Sequence, residues 1–136
     1  MSRQETESLI ARYYAAFNAG EPAGMLALVS DDIEHRVNEG DTRRGRAKFE
    51  EFCAHMGVSY REELRDMVIF ASEDGSRAAA EFTVHGEYLK TDPGLPEANG
   101  QRYILPAGAF FDVKNGVITR ITTFYNLADW TAQVSA

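Results

Sequence analysis

The sequence predicts an α+β domain with helices packed on one face of an antiparallel sheet. Two observations carry this. Up to Gly57, apolar residues recur at helical spacing, as in Leu9, Ile10, Tyr13, Tyr14 and Phe17. From Arg61 onward the period falls to two, in long runs separated by hairpin chemistry at Glu73-Asp74-Gly75 and Asn115-Gly116. A length of 136 residues fits one domain, spanning 1–136.

Each element has a local reason. Ser2 followed by Glu5 reads as a capping box, and Gly20 stops the helix that begins there, predicted over 3–19. Pro22 suits the first turn of a second short helix containing Met25, Leu26, Leu28 and Val29. Asp31-Asp32 leads into a strand at Ile33-Glu34-His35-Arg36-Val37, and Gly40-Asp41 is a turn. Arg43 to Gly45 approaches a third helix whose stripe is Phe49, Phe52, Cys53 and Met56, ending before Gly57. Strands follow at 61–72, 77–90, 101–113 and 117–126. The segment 91–100 is a loop, because Asp92-Pro93-Gly94 is turn chemistry and Pro96, Asn99 and Gly100 follow it. A short helix over 127–134 closes the chain.

Composition narrows the function classes. Twenty-one acidic against 14 basic residues give a net charge of −7, which disfavours broad binding to nucleic acid or anionic membrane and fits a cytoplasmic protein. The single Cys53 forms no intrachain disulfide, and its place on an apolar stripe makes it a small core residue. The polar N-terminus has no apolar run behind it, and no apolar stretch is long enough to span a membrane.

Strand parity sorts the side chains by face. Phe82, Val84, Gly86 and Tyr88 share one face of their strand. So do Tyr103, Leu105, Ala107, Ala109 and Phe111 in the next, and Ile121, Thr123 and Tyr125 in the last. The opposite faces carry Ile104, Pro106, Phe110 and Phe124 beside His85 and Thr122. That is too apolar for a face left in water, so the expectation is a homodimer through this side of the sheet.

The element order, with three local strings, resembles the nuclear transport factor 2-like superfamily, in its branch of ketosteroid isomerase-related and SnoaL-like polyketide cyclase proteins. The strings are Leu9-Ile10-Ala11-Arg12-Tyr13-Tyr14, Asp31-Asp32-Ile33 with Arg44-Gly45-Arg46, and Phe111-Asp112-Val113-Lys114-Asn115-Gly116-Val117-Ile118. The resemblance implies a cone-shaped curved antiparallel sheet, with the three N-terminal helices closing its concave face. It assigns the first-named strand faces to the concave side, giving an apolar cavity ringed by Tyr13, Tyr88, Tyr103 and Tyr125, with Phe17, Phe82 and Thr123 beside them. The same tyrosines read equally as core residues with satisfied hydroxyls.

The resemblance also tests the chemistry. Ketosteroid isomerases use a carboxylate base and an oxyanion hole of a tyrosine and a protonated aspartic acid. Tyr13 matches the tyrosine, but the base position falls near Arg36 and the protonated aspartate near Ala107. Steroid isomerisation is therefore not expected. The Asp–Arg–Asp set of epoxide hydrolases of this fold also fails, because Gly86, Tyr88 and Ala107 carry no carboxylate. Glu81, Glu87 and Asp112 all have outer-face parity. The remaining groups are in 35–39: His35 or Glu39 to move a proton, Asn38 to orient a carbonyl, and Arg36 to hold an anionic group. The expected function is cofactor-free acid–base chemistry, as an isomerase, cyclase or lyase, on an apolar oxygen-bearing molecule, with no metal. The alternative is a non-catalytic small-molecule-binding protein or dimerisation module of the same fold.

Overall fold

Ser2 caps the first helix, α1 (Arg3–Asn18). Its hydroxyl accepts from the Glu5 N–H at 3.1 Å, and the Glu5 carboxylate accepts from the Ser2 N–H at 3.0 Å. Two of the exposed N–H groups at the helix start are thereby satisfied. In this computed structural model, which describes residues 1–135, the chain continues through α2 (Pro22–Leu26), β1 (Val29–Val37), β2 (Arg43–Arg44) and α3 (Arg46–Ser59). Five more elements form the body of the sheet and its cap: β3 (Tyr60–Ala71), β4 (Arg77–Tyr88), β5 (Gln101–Lys114) and β6 (Val117–Tyr125), then α4 (Leu127–Ser135). No helix is long and apolar enough to cross a membrane among the described residues.

The six strands lie in the order β2-β1-β6-β5-β4-β3. Neighbours pair antiparallel except β1 and β6, which run parallel. This departs from an all-antiparallel sheet, because β1 returns to β6 only after the whole sheet has been built. Register shifts between Arg65 and Val68 in β3 and between Asp112 and Val113 in β5 mark bulges, which increase local twist and curl the sheet. Strand β1 begins at Val29, before the expected Ile33, and α3 runs through Gly57 to Ser59. Arg43–Arg44, expected only as a helix approach, pairs with Glu34 and His35 as a short edge strand.

The predicted inner faces are the buried ones. Phe82, Val84, Tyr88, Tyr103, Leu105, Ala109, Phe111 and Ile121 are all buried, and α1 lays Leu9, Ile10, Tyr13 and Tyr14 against them. Tyr14 packs on Phe82 with ring centroids 5.2 Å apart, and both Tyr13 and Tyr14 meet Phe111 edge-on. On the other face Ile104, Phe110 and Phe124 stand half exposed, with Val68 and Phe70 of β3 similarly uncovered. A concavity of about 400 Å³ on that outer face is lined by Phe70, Ala79, Pro106, Gly108 and Phe110 among others.

Candidate active site

The C-terminal ends of β1, β4 and β6 and the N-terminal ends of β3 and β5 meet at one end of the sheet, where α4 and the 91–100 segment also lie. One row across this end places Glu62 of β3 opposite Gly86 of β4, and Gly86 opposite Tyr103 of β5. All three share the inner face. The Tyr103 hydroxyl donates to Glu62 Oε2 at 2.5 Å, across the intervening strand. Gly86 makes that reach possible. A Cβ there would lie 2.2 Å from Tyr103 Cζ and 2.5 Å from its hydroxyl oxygen, far inside van der Waals contact.

Glu62 is the carboxylate that parity reasoning missed. Burial among aromatic rings pushes its pKa up, and the Tyr103 hydrogen bond opposes this by favouring the charged form. The signal was present in the sequence: Tyr60, Glu62 and Leu64 alternate with Arg61, Glu63 and Arg65, and Leu64 belongs inside. The expectation that the inner strand faces hold no carboxylate is thus corrected.

Around this pair the rings touch, where the sequence suggested an open hollow. Tyr60 stacks on Tyr88 at 5.4 Å with planes 14° apart. The single Trp130, from α4, meets Tyr88 at 5.0 Å, Tyr103 at 6.0 Å and Tyr60 at 6.2 Å. Such edge-to-face and offset arrangements match the ring quadrupoles. A second carboxylate–phenol pair joins them, with the Tyr60 hydroxyl donating to Asp92 Oδ2 at 2.7 Å and His55 Nε2 lying 3.1 Å from Asp92 Oδ1. The Tyr88 hydroxyl donates to the Pro96 carbonyl at 2.6 Å and accepts from the Asp92 N–H at 2.9 Å. Burial, first, and the neighbouring carboxylates, second, raise the pKa of Tyr60, Tyr103 and Tyr125 above the ordinary phenol value and hold them protonated.

The residues proposed from 35–39 separate. His35 faces inward opposite Ile121, buried, with its ring between Phe49 at 4.9 Å and Phe52 at 4.5 Å. Burial and then Arg43 lower its pKa to about 4, so the imidazole is neutral and a weak proton acceptor at neutral pH. Its Nδ1 is buried without a hydrogen-bond partner among the described residues. Arg36 has the opposite parity and is exposed. Asn38 fastens the strand ends, its N–H donating to the Thr123 carbonyl at 2.8 Å and its Oδ1 accepting from the Tyr125 N–H at 2.9 Å. Its left-handed φ of 50° is one that asparagine tolerates. Glu39 is exposed, close enough to Tyr125 to raise the phenol's pKa.

Tyr13 lies deeper, buried between Tyr14, Phe111 and α3, and desolvation keeps its phenol protonated far beyond neutral pH. Phe17 and Thr123 are half-buried, and Phe82 is fully inside. Two polar points of the interior are the Glu62–Tyr103 pair under the aromatic cluster and the His35 Nδ1 on the β1 side.

Comparisons with known proteins agree with this architecture. The model of the SnoaL-like domain matches residues 10–121. No curated protein matches the chain. Among solved structures, a candidate polyketide cyclase from a Silicibacter species is 60% identical with a TM-score of 0.96, covering 100% of this chain and 99% of that one. A candidate polyketide cyclase from Pseudomonas putida is 53% identical, with a TM-score of 0.95 and 98% of each chain covered. An LEH-like epoxide hydrolase of M. tuberculosis, 15% identical with a TM-score of 0.75 over 98% of this chain and 91% of that one, shares the fold. Helices closing one face of a curled six-stranded sheet, a match over most of the length, and relatives above half identity place this chain in the SnoaL-like domain family.

Proposed function

We propose that the protein is a cofactor-free acid–base catalyst of the cyclase or isomerase type, acting on a neutral, apolar, oxygen-bearing substrate. The observation that carries this reading is the inward carboxylate of Glu62, desolvated among aromatic rings and held by the Tyr103 hydroxyl. Desolvation makes the carboxylate a stronger base than in water, which suits removal of a proton from carbon beside a carbonyl. In that step Glu62 takes the proton and the carbonyl oxygen gains the negative charge. Phenols held protonated, Tyr125 at this end and Tyr13 deeper, are suited to donate to that oxygen. The proton then returns from Glu62 to another carbon, or the enolate carbon attacks a second carbonyl carbon of the substrate, whose C=O π bond breaks and whose oxygen takes the proton from Glu62. The acidic groups inside argue against anionic substrates, and His35 Nδ1 is a further acceptor or donor for a substrate oxygen.

The test needs no known substrate. A panel of neutral mono- and polycyclic ketones is incubated in D2O, and loss of the α-proton signal is followed by NMR. At least one ketone is expected to exchange faster than in buffer, with Glu62→Gln slowing it by about 10²–10⁴-fold. Buffer-level exchange across the panel defeats the reading. One observation favours the alternative of a non-catalytic binding protein: the hydroxyls of Tyr60, Tyr88 and Tyr103 are already bonded within the protein. A ligand that binds tightly and is recovered unchanged after long incubation decides for it.

We also propose that two copies pair through the outer sheet face, supported by the half-exposed Ile104, Phe110 and Phe124. The net charge of −7 and the single thiol fit work in the cytoplasm.

A further inference from the structure

We propose that the segment between β4 and β5 is a lid over the Glu62 site, latched by Asp92, and that it must unlatch for a ligand to enter. It rests on the reading of Glu62 only for what lies beneath it. Tyr88, Tyr103 and Trp130 are almost completely buried, so the closed segment covers the partly exposed Glu62 on that side. The concavities of about 400 and 530 Å³ lie elsewhere, on the outer sheet face and beside Gln4, Glu7, Ser8, Ala11 and Ile69. The flanking walls are strand ladders and helices, whose opening breaks many backbone bonds at once. The 91–100 segment belongs to neither.

Its attachments are few, and most run through side chains of the site. Asp92 bonds Tyr60 and contacts His55 of α3, and the Tyr88 hydroxyl bridges the Asp92 N–H and the Pro96 carbonyl. A substrate oxygen that takes the Tyr60 or Tyr88 hydroxyl therefore competes with the latch. Gly94 and Gly100 hold left-handed φ of 84° and 86° in open space, backbone that can swing without a side chain to obstruct it. Leu95 and Ala98 tuck against the core and close the flap.

Amide hydrogen exchange of the ligand-free protein tests this. The Asp92 N–H donates to the Tyr88 hydroxyl and the Gly100 N–H to the Tyr88 carbonyl, so these amides report closure. Asp92→Ala is expected to speed their exchange at least tenfold, leaving Val84 and Leu105 amides at wild-type rates, and to raise acrylamide quenching of Trp130 about twofold. Asp92→Asn keeps an acceptor for Tyr60 and loses the charge, and is expected to fall between. Should Asp92→Ala lower protection throughout the sheet, Asp92→Asn decides by the same criterion. Exchange of these two amides unchanged in the variant that keeps its sheet protected overturns the lid. Gln133 of α4 accepts from the Ile104 N–H and donates to the Ile104 carbonyl, both at 2.9 Å, and a loosening that appears only with Gln133→Ala, which removes these bonds, overturns it too. Neither readout involves turnover, so failure of the lid and failure of Glu62 as the base are separately visible.

Discussion

Adding one methyl group to Gly86 tests the geometry of the site. The new Cβ would sit 2.2 Å from Tyr103 Cζ and 2.3 Å from Cε2. Carbon atoms rest about 3.5–4.0 Å apart, so the ring must move by about 1.3 Å or more. The hydroxyl stands 2.5 Å from Glu62 Oε2, and that movement takes it toward or past the limit for a hydrogen bond. Two costs follow. Overpacking a filled interior costs about 1–3 kcal/mol, and losing a hydrogen bond to a charged group costs about 1.5–3 kcal/mol. Gly86→Ala should therefore lower stability at pH 8 by roughly 2–5 kcal/mol in urea unfolding, allowing for overlap between the two. Tyr103→Ala removes the obstacle, so the double variant should be less destabilised than the sum, with a coupling above about 1 kcal/mol. Gly86→Ala within about 0.5 kcal/mol of wild type, or strict additivity, refutes the reasoning that Gly86 exists to seat Tyr103.

Other predictions follow from the same structure. Because burial raises the Glu62 pKa, its ionised form costs stability as pH rises through and above the ordinary carboxylate range; Glu62→Gln should raise the melting temperature at pH 8 by a few degrees while slowing exchange, whereas loss of stability would show that the charge is held favourably. His35 is neutral in both states above about pH 6.5, and below that the unfolded chain binds a proton the folded one resists down to about 4. Stability should thus fall by about 3 kcal/mol between those pH values, and His35→Leu should flatten that limb in pH-dependent denaturation. An unchanged limb rules out His35 as its source. Phe110→Asp on the outer face should convert a sedimenting dimer to monomer with the sheet intact; a wild-type protein that is monomeric at micromolar concentration removes the pairing altogether.

Much of the fold could be read from local chemistry. The Ser2–Glu5 capping box, the Asn115-Gly116 turn and the alternation in β4, β5 and β6 are decided by residues close in sequence, and strand parity correctly sorted Phe82, Tyr103 and Phe111 inward. The parallel pairing of β1 with β6 was not legible, because it joins segments some 90 residues apart and no local signal specifies it. Within β1, parity alone separates His35 from Arg36. Treating 35–39 as one polar cluster obscured this. Asn38 looked like a substrate contact because a strand-end fastening and a ligand contact use the same amide. Glu62 was hidden by its neighbours: a run of Arg61, Glu62, Glu63, Arg65 and Asp66 looks like a solvated face, and only the register that lines up Glu62, Gly86 and Tyr103 shows which charge is turned inward.

The most direct test compares two titrations. The side-chain carboxyl of Glu62 is followed by 13C NMR against pH, and the α-proton exchange rate of a responsive ketone is measured over the same range. A basic Glu62 predicts one midpoint for both curves, above the usual carboxylate range of about 4.3, with the kinetic limb absent in Glu62→Gln. A carboxyl that titrates at or below that range, or exchange that persists in Glu62→Gln, contradicts it.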